Sequence, residues 1–220
     1  MIKEYWEEIK QFDLKALIII IYSTFLLLFT IYFRRTTLFF PEHRFLDRLL
    51  IAGAVYLIGP LILLPIFKYK PRDFGIQLGN VKQWIKEMLI FFAVMMVILV
   101  IAFKFTNLKH VYPLFRPART NTDYFILYQG IQLFHMIAWE FFFRGFMLFG
   151  LEKKYGKLSI LIQTIPFAIM HFRKPALEAY GSIFAGIFQG TLGLRSRSFI
   201  PCALLHFLVA LAADLLGILM

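Results

Sequence analysis

A single cysteine, Cys202, stands in the 220-residue chain. No disulfide framework can form around it, and because it sits in an apolar segment it says nothing about redox compartment. A Gly-rich phosphate loop, a Cys-x-x-Cys pair, a low-complexity tract and an internal repeat are all missing. The usual sequence marks of a nucleotide cradle, a thiol metal knuckle and a solenoid are therefore absent. Charge is scarce in the apolar interior. From Tyr124 to Gly150 the only fully charged side chains are Glu140 and Arg144.

Apolar residues fill the space that charge leaves. They make up 60% of the chain, and the mean hydropathy is +0.72. A soluble globular protein is closer to ~45–50% apolar. Several uncharged runs approach the ~20 residues needed to cross a bilayer. The expected fold class is an all-α integral membrane protein, a polytopic helical bundle of about seven transmembrane helices. The formal net charge of +11 then reads as basic loops meeting anionic lipid headgroups, with no call on nucleic acid.

Spans are expected over residues 14–33, 49–67, 88–103, 124–150, 158–172, 176–194 and 199–220. Residues 1–13, with Trp6, read as an interfacial segment. Their acids, and the long apolar core behind them, argue against a cleaved signal peptide. Pro60 and Pro65 fall inside the second span, where neighbouring helices can tolerate a kink. Val81 to Lys86, with Trp84, lies at the interface and leads into the third span. Arg173-Lys174-Pro175 reads as a tight turn, because a residue before proline avoids the helical region. Ser182, Gly186 and Gly190 form a small-residue ladder for close helix approach.

An ionisable pair in hydrocarbon is a functional-site hypothesis by default. Glu140 and Arg144 are spaced i, i+4, which on a helix puts them on one face. If spans four and five form an antiparallel hairpin turning near Tyr155-Gly156, Glu140 lies about 15 residues before the turn and His171 about 15 after it. At ~1.5 Å per residue they reach one depth. His206 comes from the seventh span, shallower by up to two turns. Two chemistries fit such a set. Glu140, His171 and His206 can bind a metal, zinc first, with an open position for water. Alternatively no metal is needed, and Glu140 with His171 activates a water while His206 donates to the developing oxyanion. Arg144 keeps Glu140 ionised. Gln129 faces the same way as Glu140 and is expected to line the cavity. Asp214 is expected to orient His206 or to cap a polar network. His135 points away and reads as a helix-to-helix hydrogen bond.

Taken together, Glu140-x-x-x-Arg144-Gly145, Phe167-x-x-x-His171 and His206 before a hydrophobic helix resemble the CAAX prenyl endopeptidase and bacteriocin-processing family (CPBP, also called Abi) in its bacterial type. Residues 171–175, Glu178, Gly186 and Gly190 share in the resemblance, as does the segment 72–80. Two positions depart from the family pattern. The usual first acid of Glu-Glu-x-x-x-Arg is Trp139 here, and the usual Asn four residues after the last motif His is Ala210. The resemblance implies an intramembrane endopeptidase in the bacterial cytoplasmic membrane, acting on a membrane-associated peptide or protein. It implies a division into N-terminal transmembrane helices and interfacial segments, 1–123, and a site-bearing core, 124–220, within one compact membrane domain. A second reading is a catalytically degenerate scaffold or bacteriocin self-immunity protein on the same fold. A transporter with a polar core is a third. Against it, the ionisable groups gather at one level.

Overall fold

The computed structural model describes residues 5, 7, 8 and 11–220. Trp6 and most of the expected interfacial segment 1–13 lie outside the described residues. Seven helices follow: α1 (Leu14–Tyr32), α2 (Arg44–Ile66), α3 (Val81–Phe105), α4 (Thr122–Tyr155), α5 (Leu158–Met170), α6 (Ala176–Ser196) and α7 (Ile200–Leu219). Among the described residues there is no strand. The protein is an all-α membrane bundle.

Five of the helices, α1, α2, α3, α4 and α7, are long and apolar enough to cross a bilayer. The two that are not form the α5–α6 hairpin. Helix α5 has 13 residues, about 20 Å at 1.5 Å per residue, short of the ~30 Å hydrocarbon core. Helix α6 is long enough but carries Glu178, Gln189 and Arg195 among its glycines. The sequence expectation of about seven spans therefore divides into five by length and composition, plus a shorter and more polar hairpin held between them.

Local chemistry sets the ends of these elements. Asp13, Asn80 and Asn121 cap α1, α3 and α4, their side-chain oxygens accepting from Ala16 N (2.8 Å), Gln83 N (3.3 Å) and Tyr124 N (2.9 Å). Each satisfies a donor that the first helical turn leaves unpaired. Helix α4 stops at Gly156, whose φ of +52° suits a residue without Cβ. Helix α3 already begins at Val81, so the segment expected at the interface is its first turn. Loop 33–43 is tied by Asp47, whose carboxylate accepts from the backbone N–H groups of Leu38 (3.1 Å), Phe39 (2.9 Å) and Phe40 (2.9 Å).

Small residues decide which helices approach. A Cβ on Gly186 would stand 2.8 Å from the Thr164 side chain, and one on Gly190 would stand 2.9 Å from Ile160. The ladder on α6 thus presses on α5, as small-residue faces do when apolar solvent offers no hydrophobic drive. Gly53 brings α2 onto Phe134 of α4 in the same manner.

Helix α4 is the axis of the bundle. Residues Phe141–Phe149 form a π-helical segment inside it, and all nine are buried. Gly145 sits mid-segment, where a Cβ would meet the Phe141 ring at 2.6 Å and the Phe74 carbonyl at 3.0 Å. The 3₁₀ turn Pro71–Phe74 can approach α4 only because that position is glycine. The phenylalanines of this segment make the main core with Trp139, Tyr56, Phe74, Phe167 and Phe199. π-Segments of this kind are frequent at functional sites. Glu140 is the residue immediately before it.

Candidate active site

Glu140 and Arg144 are both fully buried. Arg144 Nη1 lies 3.0 Å from Glu140 Oε2 and donates a hydrogen bond to Oε1 at 3.2 Å. The guanidinium also rests over the Phe167 ring, 3.9 Å from its centroid, so an aromatic face supplies part of the screening that water does not. Its Nε and Nη2 atoms have no partner among the described residues.

His206 reaches this pair from α7. Its Nδ1 stands 2.6 Å from Glu140 Oε1, and 18% of the side chain is exposed. An imidazole nitrogen this close to a carboxylate oxygen acts as the donor, which leaves Nε2 outside that contact. The separation in depth expected for His206 does not occur. His171 caps the end of α5, and α7 enters from the opposite end of the bundle, where Arg197 pairs with Glu152. The His171 and His206 rings lie nearly parallel, 6.2 Å between centroids and 21° between planes.

His171 is the last residue of the α5 turn and is buried. Its Nδ1 is 2.8 Å from the Phe167 carbonyl, an acceptor, so Nδ1 holds the proton and Nε2 keeps its lone pair. Phe167 therefore serves two members of the site, its carbonyl orienting His171 and its ring receiving Arg144. The carboxylate, two imidazoles and guanidinium come from α4, the end of α5 and α7, and His206 bridges the carboxylate and His171.

Trp139 forms a wall. Its indole stands edge-on to His171 at 5.9 Å and to Tyr56 at 5.4 Å, and Nε1 has no hydrogen-bond partner. Ala210 lies one turn beyond His206 on α7 and offers no donor. His135 bonds through Nδ1 to the Leu49 carbonyl at 3.0 Å and joins α4 to α2, as expected. Asp214 caps a polar network instead of orienting His206. Its Oδ2 accepts from Gln129 Nε2 at 2.9 Å and Gln132 Nε2 at 3.3 Å. Gln129 thus belongs to that network.

Outside the reach of sequence reasoning lay a tie at the rim. Tyr112, in the loop before α4, donates its hydroxyl to Glu178 Oε2. Lys174 pairs with Glu178 Oε1 at 3.0 Å. Burial, and then the Glu178 carboxylate, push the Tyr112 phenol well above its usual range, so it stays a donor. The partners lie 66 residues apart in the chain, and no periodicity links them. Glu178 was visible only through the family resemblance.

A three-ligand metal site does not fit this arrangement. Among the described residues no group of three His, Cys, Asp or Glu side chains gathers as ligands. His206 directs Nδ1 at the carboxylate that would have to be its co-ligand, and Arg144 holds a fixed positive charge against that same carboxylate. What the groups can do is hold and move protons around a buried carboxylate.

No curated protein and no solved structure matches the chain. Residues 121–212, from the cap of α4 into α7, match the family model described as Type II CAAX prenyl endopeptidase Rce1-like, so the helices that carry this site are similar to that family.

Proposed function

We propose that the protein is an intramembrane endopeptidase that hydrolyses a peptide bond of a membrane-associated peptide or protein, using Glu140, His171, His206 and Arg144 of a core spanning 124–220, in the bacterial cytoplasmic membrane. The observation that carries the reading is the buried Glu140 carboxylate, with His206 Nδ1 at 2.6 Å and Arg144 at 3.0 Å, in the segment that the family model matches.

The chemistry follows from the proton positions. Glu140 accepts a proton from a water held between its carboxylate and His171 Nε2, and the water oxygen attacks the peptide carbonyl carbon. His206, bonded to Glu140 through Nδ1, directs Nε2 toward the developing oxyanion and stabilises it when that nitrogen is protonated. The proton taken from water passes to the leaving nitrogen, the C–N bond breaks, and the products are a carboxylic acid and an amine. Arg144 holds Glu140 ionised in a site with little water.

A second reading rests on Trp139 and Ala210, which leave the site with one carboxylate and no amide beside His206. In it the protein is a non-catalytic scaffold or self-immunity protein. Cleavage of a hydrophobic or prenylated peptide library by purified protein in lipid distinguishes the two. Enzyme activity should be present in wild type and fall at least ~100-fold in Glu140→Gln and His171→Ala, the usual range for losing a general base. A silent wild type, with activity gained in Trp139→Glu, decides for the scaffold.

A further inference from the structure

At the end of the bundle opposite the rim, three helix ends converge on one aromatic ring. Lys15 stands in the first turn of α1, Tyr69 three residues past the end of α2, and Lys153 in the last turn of α4. The Lys15 ammonium lies over the Tyr69 ring, 4.8 Å from its centroid, and the Lys153 ammonium lies over the same ring at 4.6 Å. The two like charges are therefore no further apart than those two distances laid end to end. We propose that Lys15, Lys153 and Tyr69 bind the phosphate of an anionic lipid headgroup.

The ring is a fixed platform. It meets the Phe74 ring edge-on, 5.1 Å between centroids and 77° between planes, and Phe74 is buried in the main core. The Tyr69 N–H donates to the Leu64 carbonyl at 3.0 Å. The turn that closes α2 takes Lys68 in the left-handed region, φ +57°, a conformation that residues with a Cβ resist. A third cation thus stands one residue before Tyr69.

This charge is not answered from within the protein. Among the described residues neither Lys15 nor Lys153 forms an ion pair. The acids beside them in the chain are engaged elsewhere. Asp13 accepts from Ala16 N, Asp73 accepts from Lys70 N, and Glu152 holds Arg197 at 2.7 Å. A ring face attracts an exposed ammonium only weakly. A phosphate between the two accepts charge-assisted hydrogen bonds from both, and the Tyr69 hydroxyl can add a donor.

Depth selects the source of the phosphate. The ends of α1, α2 and α4 mark the level where hydrocarbon gives way to headgroups, a level at which tyrosine is enriched, and both lysines are exposed there. A zwitterionic head would bring its own ammonium against theirs, so an anionic lipid is favoured. Inorganic phosphate offers the same chemistry from solution. Lys153 lies thirteen residues beyond Glu140 on α4, on the order of 20 Å along the helix, so this site takes no part in the reaction above.

Thermal unfolding of the full chain in a neutral detergent, at about 0.15 M salt, tests the assignment. The probes are dioleoylphosphatidylglycerol, dioleoylphosphatidylcholine and inorganic phosphate, each titrated at constant ionic strength. The midpoint should rise with phosphatidylglycerol and stay level with phosphatidylcholine. Lys15→Gln/Lys153→Gln should weaken the apparent phosphatidylglycerol affinity about 30-fold, about fivefold for each lysine. Lys82→Gln/Lys86→Gln removes the same charge from the same membrane face, on α3. It should weaken that affinity less than ~3-fold, because charges more than about 8 Å from the phosphate are largely screened. Equal losses in the two double variants show a diffuse attraction and overturn the proposal, as does an equal response to phosphatidylcholine or a midpoint that no probe moves. A rise with inorganic phosphate alone, lost in Lys15→Gln/Lys153→Gln, assigns the site to the free anion and overturns the lipid assignment.

Discussion

Consider replacing Arg144 by Met. The methionine keeps much of the aliphatic volume and removes the charge. Glu140, with no exposed surface, then keeps only His206 Nδ1 at 2.6 Å as a partner. Breaking a buried ion pair by removing one member costs about 3–5 kcal/mol, because the survivor stays buried and uncompensated. His206 can take up a proton and supply part of the lost positive charge, which places Arg144→Met at the lower end, ~3 kcal/mol. Glu140→Gln leaves the guanidinium stranded beside Nε and Nη2 atoms that are already unpaired, and its expected cost is ~4 kcal/mol. The double variant Glu140→Gln/Arg144→Met carries no stranded charge. Its loss should fall short of the sum of the single losses by ~2 kcal/mol, the coupling expected of residues in direct contact. Denaturant titration in mixed micelles reads all four proteins. If the single losses simply add, or if Arg144→Met lies within ~1 kcal/mol of wild type, the pair is not the closed unit described here and the argument for a held, ionised Glu140 fails.

Two further outcomes follow from other contacts. Asp47→Ala removes the acceptor of three backbone N–H groups in loop 33–43. It should cost roughly 3 kcal/mol and make that loop the first site of limited proteolysis; an unchanged cleavage pattern would count against the tie. Tyr112→Phe removes the hydroxyl that binds Glu178 and should lower stability by ~1–3 kcal/mol. It should also speed hydrogen exchange in residues 106–121, and exchange at the wild-type rate would show that the rim is held by packing alone.

Membrane topology was legible because hydrocarbon imposes a length. Apolar runs near 20 residues read as spans, and five helices are long and apolar enough to cross. The hairpin α5–α6 was harder, since a 13-residue apolar helix and a Gly-rich polar one obey packing against neighbours more than any rule of thickness. Glu140 and Arg144 stood out because charge is costly there, and His171 because its distance from Gly156 mirrors that of Glu140. The π-segment was not legible. Tertiary contacts accompany it, Phe74 against Gly145 and Phe141 against Phe199, and no local signal in a run of phenylalanines separates π from α geometry.

Trp139 shows how a departure from a motif acquires meaning only in three dimensions. In the sequence it is a missing acid. In the bundle it fills the space between Tyr56, Phe143, Phe167 and His171, so a carboxylate there would face aromatic edges with no basic partner in contact. Restoring the acid alone would bury a second charge beside Glu140, and like charges that close drive one of the two to stay protonated. The indole avoids that conflict and keeps His171 in a dry, aromatic setting, where a neutral imidazole is favoured over its cation. In the proposed reaction, a Trp at this position leaves the base function to Glu140 and His171, with His206 bonded to the carboxylate.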